Sequence, residues 1–162
     1  ASISWDRSEY DAIDRVVKSG FFKMGSECRS FEKKFAEWIG AEFAVFCNSG
    51  SSANLLAVAA LKYDPRRKED DRNVVIVPSV SWSTTYSPLL QLGYQLRFVD
   101  VSSDDFNLNC ELVRDAIDDT VCGIMAVNVL GAPCDFDRLL KLCQMYSLWM
   151  IEDNCEAMGA SL

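Results

Sequence analysis

The sequence predicts an α/β fold with a mainly parallel sheet that helices cover on both faces. Three apolar runs, Val74–Val77, Cys122–Val127 and Leu148–Glu152, are predicted as strands and show no polar alternation. Strands of this kind are buried on both faces, which is typical of parallel sheets. Segments with apolar residues at helical spacing separate these runs, so strands and helices alternate along the chain.

The first part of the chain, residues 1–40, is predicted as a helical arm that precedes an α/β sheet region, residues 41–162. Two amphipathic helices are expected in the arm, and each ends at a glycine: Ser8–Ser19 before Gly20, and Cys28–Ile39 before Gly40. Glycine commonly follows the last turn of a helix because it adopts the left-handed conformation without strain.

Within the sheet region, the remaining elements follow from the same patterns. Two further strands are predicted, Phe43–Cys47 and Leu96–Val99. Helices are predicted at Ala53–Leu61, Thr84–Leu92, Glu111–Ile117 and Asp135–Met145. Pro88 is expected to bend the second of these helices or to shift its start. Residues 65–73 are predicted as a solvated polar loop, in which Arg66, Arg67 and Lys68 are followed by acidic residues.

Composition excludes several classes of function. The formal net charge is -8, which argues against a nucleic-acid surface because phosphate neutralisation requires clustered basic side chains. No apolar run reaches the roughly 20 residues that a membrane span needs. The first residues lack the basic and then apolar pattern of a secretory signal, so a cytoplasmic location is expected.

The cysteine and histidine counts narrow the chemistry further. Seven cysteines without a CxxC pair, and without a secretory signal, indicate reduced thiols that mostly pack as small hydrophobic residues. The chain has no histidine, so zinc sites and Ser-His or Cys-His nucleophiles are not expected. Any general base must be a carboxylate, a lysine or a residue outside this sequence.

Two features could together hold a cofactor that carries a pyridinium nitrogen and a phosphate. Asp153 ends an apolar strand and could pair with a positively charged ring nitrogen, as carboxylates do in pyridoxal phosphate (PLP) enzymes. Ser51 and Ser52 follow Gly50 at the start of a helix, where unpaired amides and the helix dipole favour an anion. Each feature also has an ordinary interpretation, since serine and aspartate are common helix caps.

Further candidates follow other predicted strands. Trp82 lies in a small polar loop after Val74–Val77 and could offer its ring face to a flat cofactor, although a packed surface tryptophan is equally consistent. Asn128 could donate to a ligand or could simply sit in a turn, and Glu156 could support the site around Asp153. Ligands of open α/β sheets bind at the carboxyl ends of the strands, so these residues are expected to share one edge.

Several motifs in order resemble the DegT-type family of PLP-dependent nucleotide-sugar aminotransferases and dehydratases. They are NSGSSANLLA (48–57), VPSVSWSTT (77–85), FVDV…FNLN (98–109), VNVLG (127–131) and IEDNCEAMGA (151–160). The similarity covers essentially the whole chain. The segments Ser-Trp-Ser-Thr-Thr and Glu-Asp-Asn-Cys-Glu are more similar to the 3-dehydratase branch than to the plain aminotransferases.

The resemblance implies roles for individual residues, with PLP or pyridoxamine phosphate as the cofactor. Ser51 and Ser52 would hold the phosphate, Trp82 would stack on the pyridine ring, and Asp153 would pair with the ring nitrogen. Glu156 would lie beside the ring, and the role of Asn128 is left open. The fold implied is the three-layer α/β/α large domain of a fold-type-I transferase, present in part.

The resemblance also implies a substrate and a partner. The substrate would be a nucleotide-linked 4-keto-6-deoxyhexose, undergoing 3-dehydration or amino transfer in deoxysugar and lipopolysaccharide biosynthesis. Family members are typically homodimers with active sites at the subunit interface, and the same is expected here.

One departure from the family pattern limits the expected activity. The catalytic lysine, replaced by histidine in the 3-dehydratase branch, has no counterpart among these residues. The C-terminal small domain of the family is missing too. The chain is therefore expected to be the N-terminal part of a larger enzyme and inactive alone. Two alternatives remain at this point: a non-catalytic α/β binding or assembly module, and an unrelated nucleotide-binding α/β domain.

Overall fold

The computed structural model describes residues 4–67 and 70–161, and the chain forms two compact units, Ala1–Cys47 and Asn48–Leu162. Lys68 and Glu69 of the predicted polar loop lie outside the described residues. The rest of this loop includes a 3₁₀ turn at Pro65–Arg67, and Arg72 pairs with Asp70 at 2.8 Å.

The first unit contains two helices, α1 (Arg7–Ser19) and α2 (Ser26–Ile39). Asp6 caps α1 and forms a reciprocal capping box with Glu9. Gly20 and Gly40 follow the two helices in the left-handed conformation, with φ of 65° and 71°. Both predicted helix ends are thus confirmed.

The predicted strand Phe43–Cys47 is wrong. These residues are not paired in any strand ladder described for the chain, and Phe43 and Val45 are each 77% exposed. An extended segment becomes a strand only when a neighbouring strand accepts and supplies its backbone hydrogen bonds. A run of β-forming residues cannot indicate whether such a neighbour exists.

The second unit consists of alternating helices and strands. The strands are β1 (Val74–Pro78), β2 (Gln95–Val99), β3 (Val121–Val127) and β4 (Trp149–Asp153). The helices are α3 (Gly50–Lys62), α4 (Ser83–Gln91), α5 (Cys110–Asp115) and α6 (Phe136–Tyr146). Each predicted element of this unit is present, with its ends at the predicted residues or within three residues of them.

The sheet has the strand order β2-β1-β3-β4, and all of its pairings are parallel. Alternate residues of each strand point to opposite faces. Val74 and Ile76 pack in a core with residues of α5 and α6, such as Val113 and Leu139. Val75 and Val77 pack on the other face in a core that includes Val58 of α3 and Leu89 of α4. The unit is therefore a three-layer α/β/α arrangement, as the sequence predicts.

The cysteines of the sheet region pack mainly as core residues. Cys110, Cys122, Cys134 and Cys143 are buried, and burial raises the pKa of the last three to about 11. A thiol with such a pKa stays protonated at neutral pH and behaves as a small hydrophobic side chain.

Within the described residues, no helix is long and apolar enough to cross a membrane.

Candidate functional site

A cavity of about 630 Å³ lies at the carboxyl edge of the sheet. Its walls come from the first turns of α3 and α4, the loop that joins β1 to α4, the segment after β3, and the end of β4. Of the predicted site residues, Ser51, Trp82, Asp153 and Glu156 line it, whereas Ser52 and Asn128 do not. The arrangement agrees with the rule that ligands bind where parallel strands end.

Asp153 is the last residue of β4, and its carboxylate accepts hydrogen bonds from Asn54 and Cys155. The side-chain amide of Asn54 donates to Oδ2 at 2.8 Å, and the backbone N–H of Cys155 donates to Oδ1 at 3.2 Å. Asp153 also pairs with Val127 of β3, which anchors its backbone in the sheet. A partly buried carboxylate held in this way can accept a further bond from a positively charged donor in the cavity.

Asn54 is a site residue that the sequence interpretation missed. It lies on α3 with only 8% of its surface exposed, and it shares the inward face of that helix with Val58. An asparagine on the apolar face of a helix was the signal that could have found it, because a buried amide needs partners.

The first turn of α3 supplies backbone donors to the cavity. Ser49 caps the helix, and its hydroxyl accepts the N–H of Ser52 at 3.2 Å. The amides of Gly50 and Ser51 occupy the first two helical positions, which have no acceptor within a helix. Both residues line the cavity, so an anion there would meet two donors at the positive end of the helix dipole.

The helix therefore starts three residues earlier than the sequence predicts, and this changes how Ser52 contributes. Its backbone amide is already bonded to Ser49, which leaves its hydroxyl as the group that could reach an anion. That hydroxyl lies 3.2 Å from the Ser49 hydroxyl. Phosphate contact by Ser52 remains a prediction, with Gly50 and Ser51 the better placed donors.

Trp82 precedes α4 at the N-cap position and is 74% exposed. Its backbone carbonyl accepts the N–H of Thr85 at 3.0 Å, which ties the residue to the first turn of the helix. The indole ring lines the cavity with most of its surface open, as a stacking platform requires.

Glu156 holds the segment that follows β3. Its Oε2 accepts the backbone N–H of Leu130 at 2.8 Å. Leu130 has a φ of 53°, a conformation that costs free energy for a residue with a side chain. The same segment is held by the buried Asn107, which accepts the N–H of Val129 at 3.1 Å and donates to the carbonyl of Ala132. Glu156 thus shapes one wall of the cavity.

The side chain of Asn128 forms its hydrogen bonds with other residues of this chain. Its Nδ2 donates to Glu152 at 2.7 Å and to Asn154 at 3.2 Å, and its Oδ1 accepts the N–H of Cys134 at 2.8 Å. It is 2% exposed and is not among the cavity residues. The geometry gives Asn128 a structural role between β3 and β4, and ligand contact by it remains a prediction that this geometry does not favour.

The remaining ionisable group in the cavity is the thiol of Cys155. Burial, together with a hydrogen bond to Asp153 and the nearby carboxylates, raises its pKa to about 11. The thiol is thus protonated at neutral pH, which disfavours a nucleophilic role.

Among the described residues that line the cavity, none is a lysine. The described residues also contain no group of three or more acidic or cysteine side chains placed to hold a metal ion.

Comparison with known proteins identifies the family. The sequence model of the DegT/DnrJ/EryC1/StrS aminotransferase family matches residues 4–162. The chain belongs to this family.

Relatives in the DegT/DnrJ/EryC1/StrS family include both dehydratases and aminotransferases. The chain is 44% identical over 162 residues to GDP-4-keto-6-deoxy-D-mannose 3-dehydratase of Yersinia pseudotuberculosis, covering 100% of this chain and 41% of the relative. It is 28% identical over 149 residues to UDP-2-acetamido-2-deoxy-3-oxo-D-glucuronate aminotransferase of Pseudomonas aeruginosa, covering 92% of this chain and 40% of the relative. The chain thus spans about two fifths of the length of these relatives.

Solved structures of the family share the fold. The E. coli GDP-4-keto-6-deoxy-D-mannose-3-dehydratase with bound hydrated PLP matches with a TM-score of 0.94 and 41% identity, over 100% of this chain and 42% of that chain. Helicobacter pylori PseC, an aminotransferase involved in pseudoaminic acid biosynthesis, matches with a TM-score of 0.89 and 25% identity, over 98% of this chain and 41% of that chain. The fold-type-I transferase architecture is thereby established for this chain.

The donor set of the cavity fits PLP, the cofactor of this family. An anion needs donors, and Gly50 and Ser51 present two amides at a helix start. A protonated pyridine nitrogen needs an acceptor, and Asp153 is a carboxylate held by Asn54. A flat ring needs an apolar or aromatic face, which Trp82 offers.

Proposed function

We propose that the residues of this cavity form the cofactor-binding part of a PLP-dependent enzyme acting on a nucleotide-linked 4-keto-6-deoxyhexose. The reaction would be 3-dehydration or amino transfer, in deoxysugar and lipopolysaccharide biosynthesis. The observation that carries the proposal is the placement of the Asp153 carboxylate and the first-turn amides of α3 in one cavity. Family membership and the dehydratase relatives give further support.

In this proposal each residue has a specific task. Gly50 and Ser51 bind the phosphate through their amides, with the hydroxyls of Ser51 and Ser52 as further donors. Trp82 covers one face of the ring. Asp153 holds a proton at the ring nitrogen, and in that state the bound cofactor supplies an electron sink for charge that develops on the substrate.

In this proposal, the group that moves the substrate proton is not among the residues that line the cavity. The chain contains no histidine, and the described lining contains no lysine. Glu156 is engaged with Leu130, and the thiol of Cys155 is protonated. Since the relatives are longer than this chain, we place the base in the part of such an enzyme beyond these 162 residues. The 162 residues alone are then expected to bind cofactor without turnover.

We further infer a homodimer, the state implied by the resemblance to the family, and a cytoplasmic location, as the first residues of the sequence lead us to expect. Apolar side chains of α1 are exposed, with Tyr10 at 59% and Val17 at 57%, and such surfaces commonly belong to interfaces. Sedimentation equilibrium of the complete protein is expected to give twice the mass of one chain. A monomer across the micromolar range would contradict this inference.

Titration with PLP tests the cofactor proposal directly. The protein is expected to change the visible absorbance of PLP, and Asp153→Asn is expected to weaken binding by about tenfold or more, because hydrogen bonds to charged groups contribute about 1.5–3 kcal/mol. Asp100→Asn is the matched control. Asp100 also follows a strand of this sheet, bonds to Ser79 and Val101, and does not line the cavity.

The control variant is expected to bind PLP as the unaltered protein does. No spectral change with the unaltered protein would overturn the cofactor assignment. Equal affinity for the unaltered protein and Asp153→Asn would overturn the role of Asp153 alone.

A further inference from the structure

Asn54 joins three elements of the site through one side-chain amide. Its Nδ2 donates to Asp153 Oδ2 at 2.8 Å and to the backbone carbonyl of Thr84 at 3.4 Å. Asn54 belongs to α3, Thr84 to α4 and Asp153 to β4. Both partners are acceptors, so only the NH₂ end of the amide can face them, and the orientation of the side chain is fixed by chemistry.

The carbonyl of Thr84 needs this donor because of Pro88. In an α-helix the carbonyl of residue 84 would accept the N–H of residue 88, but proline has no N–H. Pro88 lies inside α4 and is buried, so this acceptor loses its helical partner. Asn54 supplies the replacement, although the 3.4 Å bond is long. The proline in α4 therefore contributes to holding the Asn54 amide at the cavity wall.

The consequence for Asp153 is that one carboxylate oxygen is bonded to a buried, fully oriented donor. The other oxygen accepts the backbone N–H of Cys155 at 3.2 Å. The donor, Asn54, is buried, whereas Asp153 lines the cavity. The bond between them therefore sets the direction in which the carboxylate points.

We propose that Asn54 is the positioning residue for Asp153: bridging Thr84 and Asp153, it holds the carboxylate aimed at the ring nitrogen of the cofactor. This inference rests on the proposed function for its ligand. The geometry on which it depends belongs to the protein alone, so it has a test without cofactor as well.

Two substitutions separate positioning from general stability. Asn54→Leu keeps a side chain of similar size and removes both N–H groups, and is expected to weaken PLP binding about tenfold. Val58→Ala is the control, since Val58 is fully buried one turn later on the same face of α3 and does not line the cavity. It is expected to lower thermal stability while leaving PLP affinity unchanged.

Asn54→Asp provides a signature that a merely structural role would not produce. It places a second carboxylate against Asp153, so at neutral pH binding is expected to fall below that of Asn54→Leu. Lowering the pH is expected to restore binding, because a proton shared between the two carboxylates recreates a donor. The PLP affinity of this variant should therefore rise as the pH falls.

Hydrogen exchange of the Cys155 amide is the readout without cofactor. It is expected to be several-fold faster in Asn54→Leu than in the unaltered protein, and unchanged in Val58→Ala. Absent PLP binding with a responsive Cys155 amide would refute the cofactor proposal and leave the positioning of Asp153 standing. Normal PLP affinity and normal Cys155 exchange in Asn54→Leu would overturn the positioning inference, as would equal losses of affinity in Asn54→Leu and Val58→Ala.

Discussion

Gly123 lies in β3 directly against the indole of Trp149, its neighbour in β4. A Cβ at position 123 would overlap the Trp149 ring, whose position is fixed by the sheet and by an edge-to-face contact with Tyr94. Gly123→Ala is therefore expected to lower the free energy of unfolding by about 1–3 kcal/mol, the usual cost of overpacking a core. Chemical denaturation monitored by tryptophan fluorescence would measure the change.

Gly50→Ala is the matched control for this prediction. A Cβ at position 50 meets no atom within 4 Å, and alanine favours the helical conformation of α3. Its stability is expected to equal or slightly exceed that of the unaltered protein. Equal stability of Gly123→Ala and the unaltered protein would mean that Trp149 can move without cost.

Glu156 is expected to restrain the backbone at Leu130. Removing its carboxylate with Glu156→Ala leaves the Leu130 N–H without its acceptor in a conformation that is already unfavourable. Hydrogen exchange at the Leu130 amide is expected to accelerate, and global stability to fall by about 1 kcal/mol.

Glu156→Gln keeps an acceptor oxygen at the same reach and is expected to retain most of the protection at Leu130. Loss of protection in the glutamine variant would show that the charge, rather than the hydrogen bond, holds the segment. Unchanged exchange in both variants would contradict the role given to Glu156.

At the scale of elements, a carboxylate links β2 to the loop before β3. The Thr120 hydroxyl, the Thr120 amide and the Arg97 guanidinium hold the pKa of Asp118 at about 2, against an ordinary value of 3.8. A group with a lowered pKa in the folded state contributes stability above its unfolded value and loses it as pH falls. This contribution is expected to disappear between about pH 4 and pH 2.

Acid titration of stability tests this link. Asp118→Asn is expected to be modestly less stable than the unaltered protein at pH 7 and to lose less stability between pH 4 and pH 2. Asp119→Asn makes the same change in charge at the next residue and serves as the control. An equal loss of stability between pH 4 and pH 2 in Asp118→Asn and the unaltered protein would contradict the prediction.

At the scale of the whole molecule, the segment at residues 43–47 lies outside the described strands and exposes apolar side chains, with Phe43 and Val45 each 77% exposed. Exposed apolar side chains favour association between chains. The 162-residue chain is therefore expected to self-associate as its concentration rises, and Val45→Lys to reduce this association. Sedimentation velocity across a range of concentrations would measure it.

Ala41→Lys introduces the same charge at an exposed position beside this segment and is expected to leave association nearly unchanged. Equal effects of the two substitutions would attribute the change to net charge. Absence of association in the unaltered chain at millimolar concentration would contradict the prediction.

Local patterns were enough to predict most of the fold. Apolar runs without alternation placed β1, β3 and β4, because strands covered on both faces need no polar side. Gly20 and Gly40 marked the ends of α1 and α2, because their left-handed conformation is intrinsic to glycine. Asp153 could also be predicted from local sequence, because it is a carboxylate that directly follows an apolar run.

Features that depend on partners distant in sequence came only from the folded chain. Phe43–Cys47 is not a strand because no strand in the described part of the chain pairs with it. The side-chain amide of Asn128 bonds to Glu152 of β4 and to Asn154, which follows that strand. Asn54 meets Asp153 across 99 positions of sequence, a contact that exists only because α3 packs against the sheet where β4 ends. Hydrogen bonds and strand pairing need specific atoms within about 3 Å, and that proximity arises only on folding. The sequence thus supplied the chemical groups and their local setting, whereas the fold determined which groups face each other.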